Sequence, residues 1–175
     1  MISAIILAGG KGKRMGAPVS KQFIEIKGKP IIYYTIKKFS ENKKIDNIVV
    51  VLSKDEVVYF KENILEKYNL KVDNIVIGGT ERQDSVYNGL KSLEDTNTDI
   101  VLIHDGARPF ISDRIIDDGI KFAQVYGACA PGVMPKDTIK IKNESNFSVS
   151  TPDRGSLVAI QTPQVFKFNE ILECH

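Results

Sequence analysis

Four short runs of apolar, mostly β-branched residues constrain this chain more than anything else in it: Ile2 to Leu7, Ile48 to Leu52, Asn74 to Ile77 and Asp99 to Ile103. Each is apolar at consecutive positions rather than alternate ones, so both faces of the strand it forms have to be covered. Between the runs the apolar residues switch to helical spacing, as Ile32, Ile36, Phe39, then Val57, Phe60, Ile64, Tyr68, then Val86, Leu90, Leu93, and later Ile116, Ile120, Ala123. Strand and helix in alternation predict an α/β fold, a doubly wound, mostly parallel sheet with helices on both faces. With 175 residues, 42% of them hydrophobic, the chain suffices for one such domain with a real core and is short for two. In this architecture ligands bind beyond the carboxyl ends of the strands, so the loops that follow each run are the ones to read.

The first of these is LAGGKGKRMG, Leu7 to Gly16. It fits neither common phosphate template. A dinucleotide fingerprint would place its third glycine where Met15 stands, and a P-loop would follow its Gly-Lys pair with Ser or Thr, whereas Gly12 and Arg14 follow here. What remains is a glycine loop carrying Lys11, Lys13 and Arg14, with Lys21 a few residues on, past Pro18. Backbone N–H groups approach an anion closely where no Cβ intervenes, and four cations gather around them, which suits a highly charged anion such as a triphosphate. Arg14 and Lys21 are the candidates for stabilising charge that develops on equatorial oxygens during displacement at phosphorus. A solvated basic loop is the plainer alternative.

Two later loops share the same end of the expected sheet. In GGTERQDSV, Gly78 to Val86, the paired glycines permit backbone contact with a flat ligand and Ser85 can reach a base edge from the first turn of a helix; otherwise Thr80 is an ordinary N-cap and Ser85 is solvated. In HDGARP, His104 to Pro109, Asp105 is placed for a metal ion or a ribose hydroxyl and Arg108 offers a planar fork to a phosphate or to a partner's backbone, unless the two simply pair with each other. His104 reads as a packed residue at a strand end rather than a base. The alternation then breaks. Over Pro135 to Phe166, Ile139 and Ile141 flank a polar tip from Asn143 to Ser148, the pattern of a β-hairpin arm, assigned to residues 135–156, projecting from the sheet. An arm with one apolar face is expected to bury it against a second copy of the chain.

Composition narrows the function classes. Lys and Arg number 24 against 22 Asp and Glu, a net charge of +2, so there is no global basic field of the kind nucleic-acid binders show. Cys129, Cys174, His104 and His175 have no zinc-ligand or disulfide spacing, which points to a reducing, cytoplasmic setting. The apolar stretch at the N-terminus is too short for a signal peptide or a membrane span. A soluble enzyme acting on small phosphates, with no nucleic-acid or membrane partner, is the expectation.

Taken in order, LAGGKGKRMG, PVSKQF, GGTERQDSV, HDGARPF, KDTIK and TPDRGSLVAIQTPQVF resemble the 2-C-methyl-D-erythritol 4-phosphate cytidylyltransferase family of the non-mevalonate isoprenoid pathway, over Ile5 to Phe166. The resemblance implies a Rossmann-like nucleotidyltransferase fold and the reaction of CTP with methylerythritol phosphate, a sugar-alcohol phosphate, to give the CDP-alcohol and pyrophosphate, with Mg²⁺. It implies that Arg14 and Lys21 stabilise the transition state, that Ala8, Gly9, Gly10, Gly79 and Ser85 hold the cytidine, and that Asp105 lies near ribose and metal. Arg108, Thr138, Arg154 and Thr162 would surround the acceptor's phosphate, part of that set coming from the partner's arm in a homodimer, with Arg154 positioning it for attack. Because the acceptor's own phosphate is the nucleophile, no Ser or Cys nucleophile is required.

Two other readings stay open at this point: a ribitol 5-phosphate cytidylyltransferase, which shares the glycine loop and the H-D-x-x-R-P pattern, and a nucleotide-binding module without turnover. The sequence stops at NEILECH, inside an apparent helix, before the C-terminal segment and second lysine of the family it resembles. The single domain over 1–175 is therefore expected to be incomplete at its C-terminus, to fold and bind CTP, and to turn over poorly.

Overall fold

Strands β1 (Ile2–Leu7), the hairpin β2 (Glu25–Ile26) and β3 (Lys29–Pro30), helix α1 (Ile31–Glu41), β4 (Asn47–Leu52) and α2 (Val57–Phe60) form the first third of the chain. They are followed by β5 (Asn74–Ile77), α3 (Arg82–Lys91), β6 (Ile100–Asp105) and α4 (Asp113–Tyr126). The last third holds β7 (Ala128–Cys129), β8 (Gly132–Val133), β9 (Ile141–Lys142), β10 (Ser148–Ser150), β11 (Ala159–Ile160), β12 (Gln164–Lys167) and α5 (Phe168–Glu173). The structure, a computed structural model, describes residues 1–10 and 20–175. Lys11, Lys13 and Arg14 of the glycine loop lie outside the described residues.

Six strands make the central sheet in the order β5-β4-β1-β6-β12-β7. The first four are parallel, as the continuous apolar runs predict, and β12 joins β6 antiparallel. Successive residues of a strand face opposite sides, and the burial follows that period. Ala4, Ile6, Ile48, Val50 and Leu102 pack with Ile32, Ile36 and Phe39 of α1, with Phe60 and Ile64, and with Ile116, Ile120 and Ala123 of α4. Ile5, Val49, Val51, Val101 and Ile103 face the other way, against Val86, Leu90 and Leu93 and against Phe168 of α5. Each fully buried Ile or Leu in these two layers contributes roughly 1.5–3 kcal/mol relative to exposure. Close approach of α3 depends on Gly89, where a Cβ would stand 2.9 Å from Cγ2 of Ile5.

Some expectations shift in detail. The fourth run starts its strand at Ile100 and not Asp99, whose carboxylate instead pairs with the N-terminal amine. Beyond Phe60, the helix widens into a π-helical stretch, Lys61–Glu66, which still buries Ile64. The arm differs more. Only Ile141, not Ile139, lies in a strand, β9 pairing with β10 across a tip that includes Asn146 at φ 66. A second antiparallel rung, β8 with β11, extends the arm below Pro135 to Gly132.

Candidate active site

β1, β4, β5 and β6 run parallel, so their carboxyl ends open on one side, and a cavity of about 700 Å³ lies there. Its walls come from the three loops singled out by sequence: Leu7, Ala8, Gly9 and Gly10 after β1, Gly79, Thr80, Glu81, Arg82 and Ser85 around the start of α3, and Asp105 and Ala107 after β6. Lys21 and Gln22 close it from a 3₁₀ turn, Lys21–Phe23, that follows the glycine loop.

The α3 wall is tightly built. Glu81, not Thr80, is the N-cap, because the Asp84 carboxylate accepts the Glu81 N–H at 2.9 Å. A Cβ on Gly79 would stand 2.1 Å from Cβ of Asp84, so only glycine fits beside this cap. The buried Ser85 hydroxyl accepts the Gly79 N–H at 3.1 Å and donates to the Glu81 carbonyl at 3.1 Å. Ser85 thus holds the shape of the glycine wall as well as lining the cavity.

Asp105 ends β6 with two guanidinium groups beside it, Nε of Arg108 at 2.8 Å and Arg82 at 3.5 Å. The pairing of Asp105 with Arg108 that the sequence left open is therefore present. Arg82 also donates to Gln164 at 3.2 Å, and Arg108 donates to Gln161, tying both to the segment entering β12. Below Asp105, His104 is packed, as its sequence position suggested: Nε2 meets the Arg108 carbonyl and Nδ1 the Thr162 hydroxyl, each at 3.0 Å. A carbonyl only accepts, so Nε2 carries the proton and Nδ1 takes the Thr162 hydroxyl hydrogen. Thr162 is engaged in bracing the strand end. Burial lowers the His104 pKa from its ordinary 6.5, against smaller opposing effects of the Arg108 carbonyl and the Asp105 charge.

Of the residues proposed from sequence, Ala8, Gly9, Gly10, Lys21, Gly79, Ser85 and Asp105 meet at one cavity. Arg108 touches Asp105 at its edge, and Thr162 touches the buried His104 behind that edge. Thr138 and Arg154 sit on the arm, where Arg154 donates to the Lys136 carbonyl at 2.9 Å, and neither lines this cavity. Arg14 lies outside the described residues. Sequence reasoning passed over Gln22 and Arg82; the one signal for each was its place next to Lys21 or inside the Gly78 to Val86 segment.

The sequence profile of IspD, 2-C-methyl-D-erythritol 4-phosphate cytidylyltransferase, matches residues 2–175. The chain belongs to this family. A family member from Clostridium perfringens (strain SM101 / Type A) is 64% identical over 174 residues, 99% of this chain and 76% of that protein. One from Clostridium beijerinckii is 61% identical over 175 residues, again 76% of its length. Among solved structures, the 4-diphosphocytidyl-2C-methyl-D-erythritol synthase from Anaerococcus prevotii DSM 20548 superposes with a TM-score of 0.82 at 37% identity, covering 98% of this chain and 72% of that one. The bifunctional IspDF from Campylobacter jejuni, at 27% identity and a TM-score of 0.79, carries the same fold in 42% of a longer chain.

Proposed function

We propose that the protein transfers the cytidylyl group of CTP to 2-C-methyl-D-erythritol 4-phosphate, giving 4-diphosphocytidyl-2-C-methyl-D-erythritol and pyrophosphate. A phosphate oxygen of the acceptor attacks the α-phosphorus of CTP; the bond from that phosphorus to the bridging oxygen breaks, and pyrophosphate leaves with the electron pair. Ala8, Gly9 and Gly10 take the triphosphate side of the nucleotide, Gly79 and Ser85 the cytosine, and Asp105 the ribose. Lys21, with Arg14, offsets charge on the equatorial oxygens. Arg108 and Thr162, with Thr138 and Arg154 from the partner's arm in a homodimer, receive the acceptor phosphate.

The described residues contain no group of three or more His, Cys, Asp or Glu side chains arranged to hold a metal ion. Asp105, one of two carboxylates lining the cavity with Glu81, fits Mg²⁺, which commonly keeps several waters and binds through one or two carboxylates plus substrate phosphates. Asp105 would be its protein ligand, and the ion would supply charge neutralisation on the triphosphate. The cytoplasm suits this chemistry, and no helix among the described residues is long and apolar enough to cross a membrane.

The observation that carries this reading is the meeting of three loop walls and Lys21 at one cavity in a chain of this family. Pyrophosphate release from CTP, assayed with methylerythritol phosphate, ribitol 5-phosphate and other polyol phosphates, tests it. Release with methylerythritol phosphate above all others is expected; a preference for ribitol 5-phosphate, or CTP binding without release from any acceptor, would overturn it.

A further inference from the structure

We infer that Gln22 is a positioning residue that orients the Ala8–Gly9 peptide and sets Lys21 against it, a role that rests on the cytidylyl-transfer reading above. Gln22 is only 1% exposed. Its Nε2 donates to the Ala8 carbonyl at 2.6 Å and lies 3.4 Å from both carboxylate oxygens of Glu56. Carbonyl and carboxylate are acceptors only, so the amide NH₂ must face them and the side chain has one orientation. Glu56 is itself held, accepting the Ser53 hydroxyl at 2.7 Å in the loop after β4.

Ala8 is therefore pinned through both of its flanking peptides, its N–H on the Val51 carbonyl at 2.7 Å and its C=O, in the Ala8–Gly9 peptide, on Gln22. In a planar trans amide the N–H points opposite to the C=O, so fixing the Ala8 carbonyl fixes the direction of the Gly9 N–H, one of the donors the proposed mechanism gives to the triphosphate. Gln22 also sits in the three-residue turn that carries Lys21, where the Phe23 N–H bonds the Ser20 carbonyl at 2.8 Å. One amide thus couples the backbone donor and the ammonium group on either side of the glycine loop. Preorganised donors of this kind act on the charge that develops during transfer more than on ground-state binding.

Among the described residues, the charged groups around Gln22 are Glu56 across the turn and Lys21 beside it, with Glu81, Arg82 and Asp105 on the far walls of the cavity. In Gln22→Glu the new carboxylate would face the Ala8 carbonyl and Glu56, and only its protonated form could donate to either. In the full-length protein, Gln22→Leu is expected to lower kcat by about tenfold or more with the KM for CTP changed by less than about threefold. Gln22→Glu is expected to gain a descending limb in its pH–rate profile, activity falling as pH rises through the new carboxyl's pKa. Adding Glu56→Gln removes the neighbouring charge, lowers that pKa and moves the limb to more acid pH. A packing role alone predicts losses uniform in pH and unmoved by Glu56→Gln.

Wild-type kcat in Gln22→Leu, or a pH-independent deficit in Gln22→Glu, would overturn the inference. Should the wild-type protein release no pyrophosphate, the functional reading fails separately, and hydrogen exchange on the unliganded protein decides for Gln22. Faster exchange at the Phe23 and Ile24 amides in Gln22→Leu supports the hold on the Lys21 turn; unchanged exchange removes it.

Discussion

Lys21 and Asp105 put opposite charges on two walls of one cavity, and their roles separate by what each faces during transfer. Lys21→Ala is expected to lower turnover by on the order of 10² to 10³, the usual loss for one charge-stabilising donor, with a much smaller rise in the Kd for CTP; steady-state rates beside calorimetric titration check it. His104 contributes to stability instead. Its folded pKa lies below 6.5, so below about that pH the unfolded chain binds a proton that the folded one resists. Stability is therefore full above this value and falls as pH drops through it toward the folded pKa. Melting temperatures between about pH 5 and 7.5 should fall toward the acid end in the wild type and vary less in His104→Asn. Glycines after a strand and an aspartate at a strand end were readable in the sequence, because their meaning is local. Gln22 and Arg82 were not: their partners, Ala8 and Glu56 for one and Asp105 and Gln164 for the other, come from separate parts of the chain.

Helix α1 is tied to the loop after β6 by one buried hydrogen bond, from the Thr35 hydroxyl to the Gly106 carbonyl at 2.8 Å. Thr35→Val keeps the shape and leaves that carbonyl without its donor, so a loss of about 1–3 kcal/mol is expected in urea unfolding. At the start of α3, Gly79→Ala would drive a Cβ into Asp84, whose own Cβ is fixed to the helix backbone and cannot swing away. Displacing that turn should cost roughly 1–3 kcal/mol in stability and weaken CTP binding in titrations, since Ser85 moves with it. The four parallel strands were legible because burial on both faces writes a continuous apolar run. β12 and β7 were not, one reading Gln-Val-Phe-Lys and the other spanning two residues, since their pairing is decided by distant partners. The Asp84 cap was equally hidden, as Thr80 is the better N-cap by residue type.

At the scale of the molecule, the arm leaves a run of apolar side chains uncovered by the described residues of its own chain. Val133, Met134, Ile141, Phe147, Val149, Val158 and Ile160 are all exposed on it, Phe147 at 71%. A second copy related by a two-fold axis would cover such a surface with the same surface, which is the homodimer proposed above. Sedimentation at micromolar concentration is expected to give twice the chain mass, and Phe147→Glu with Val149→Glu to give a monomer whose melting temperature is little changed, both side chains being mostly exposed within the chain. The sequence showed an arm through its polar tip, but the lower rung of β8 and β11 was lost between Gly132 and Pro131. That arm has a consequence for how the sheet is made. β7 precedes it and β12 follows it, yet among the described residues β7 has only β12 as a neighbour in the sheet. During synthesis Ala128 and Cys129 emerge well before Gln164, but the described residues offer them no edge to join until the intervening loop has closed and β12 has docked on β6. These two strands are thus laid down in the reverse of their order along the chain, and β7 waits for the arm to return.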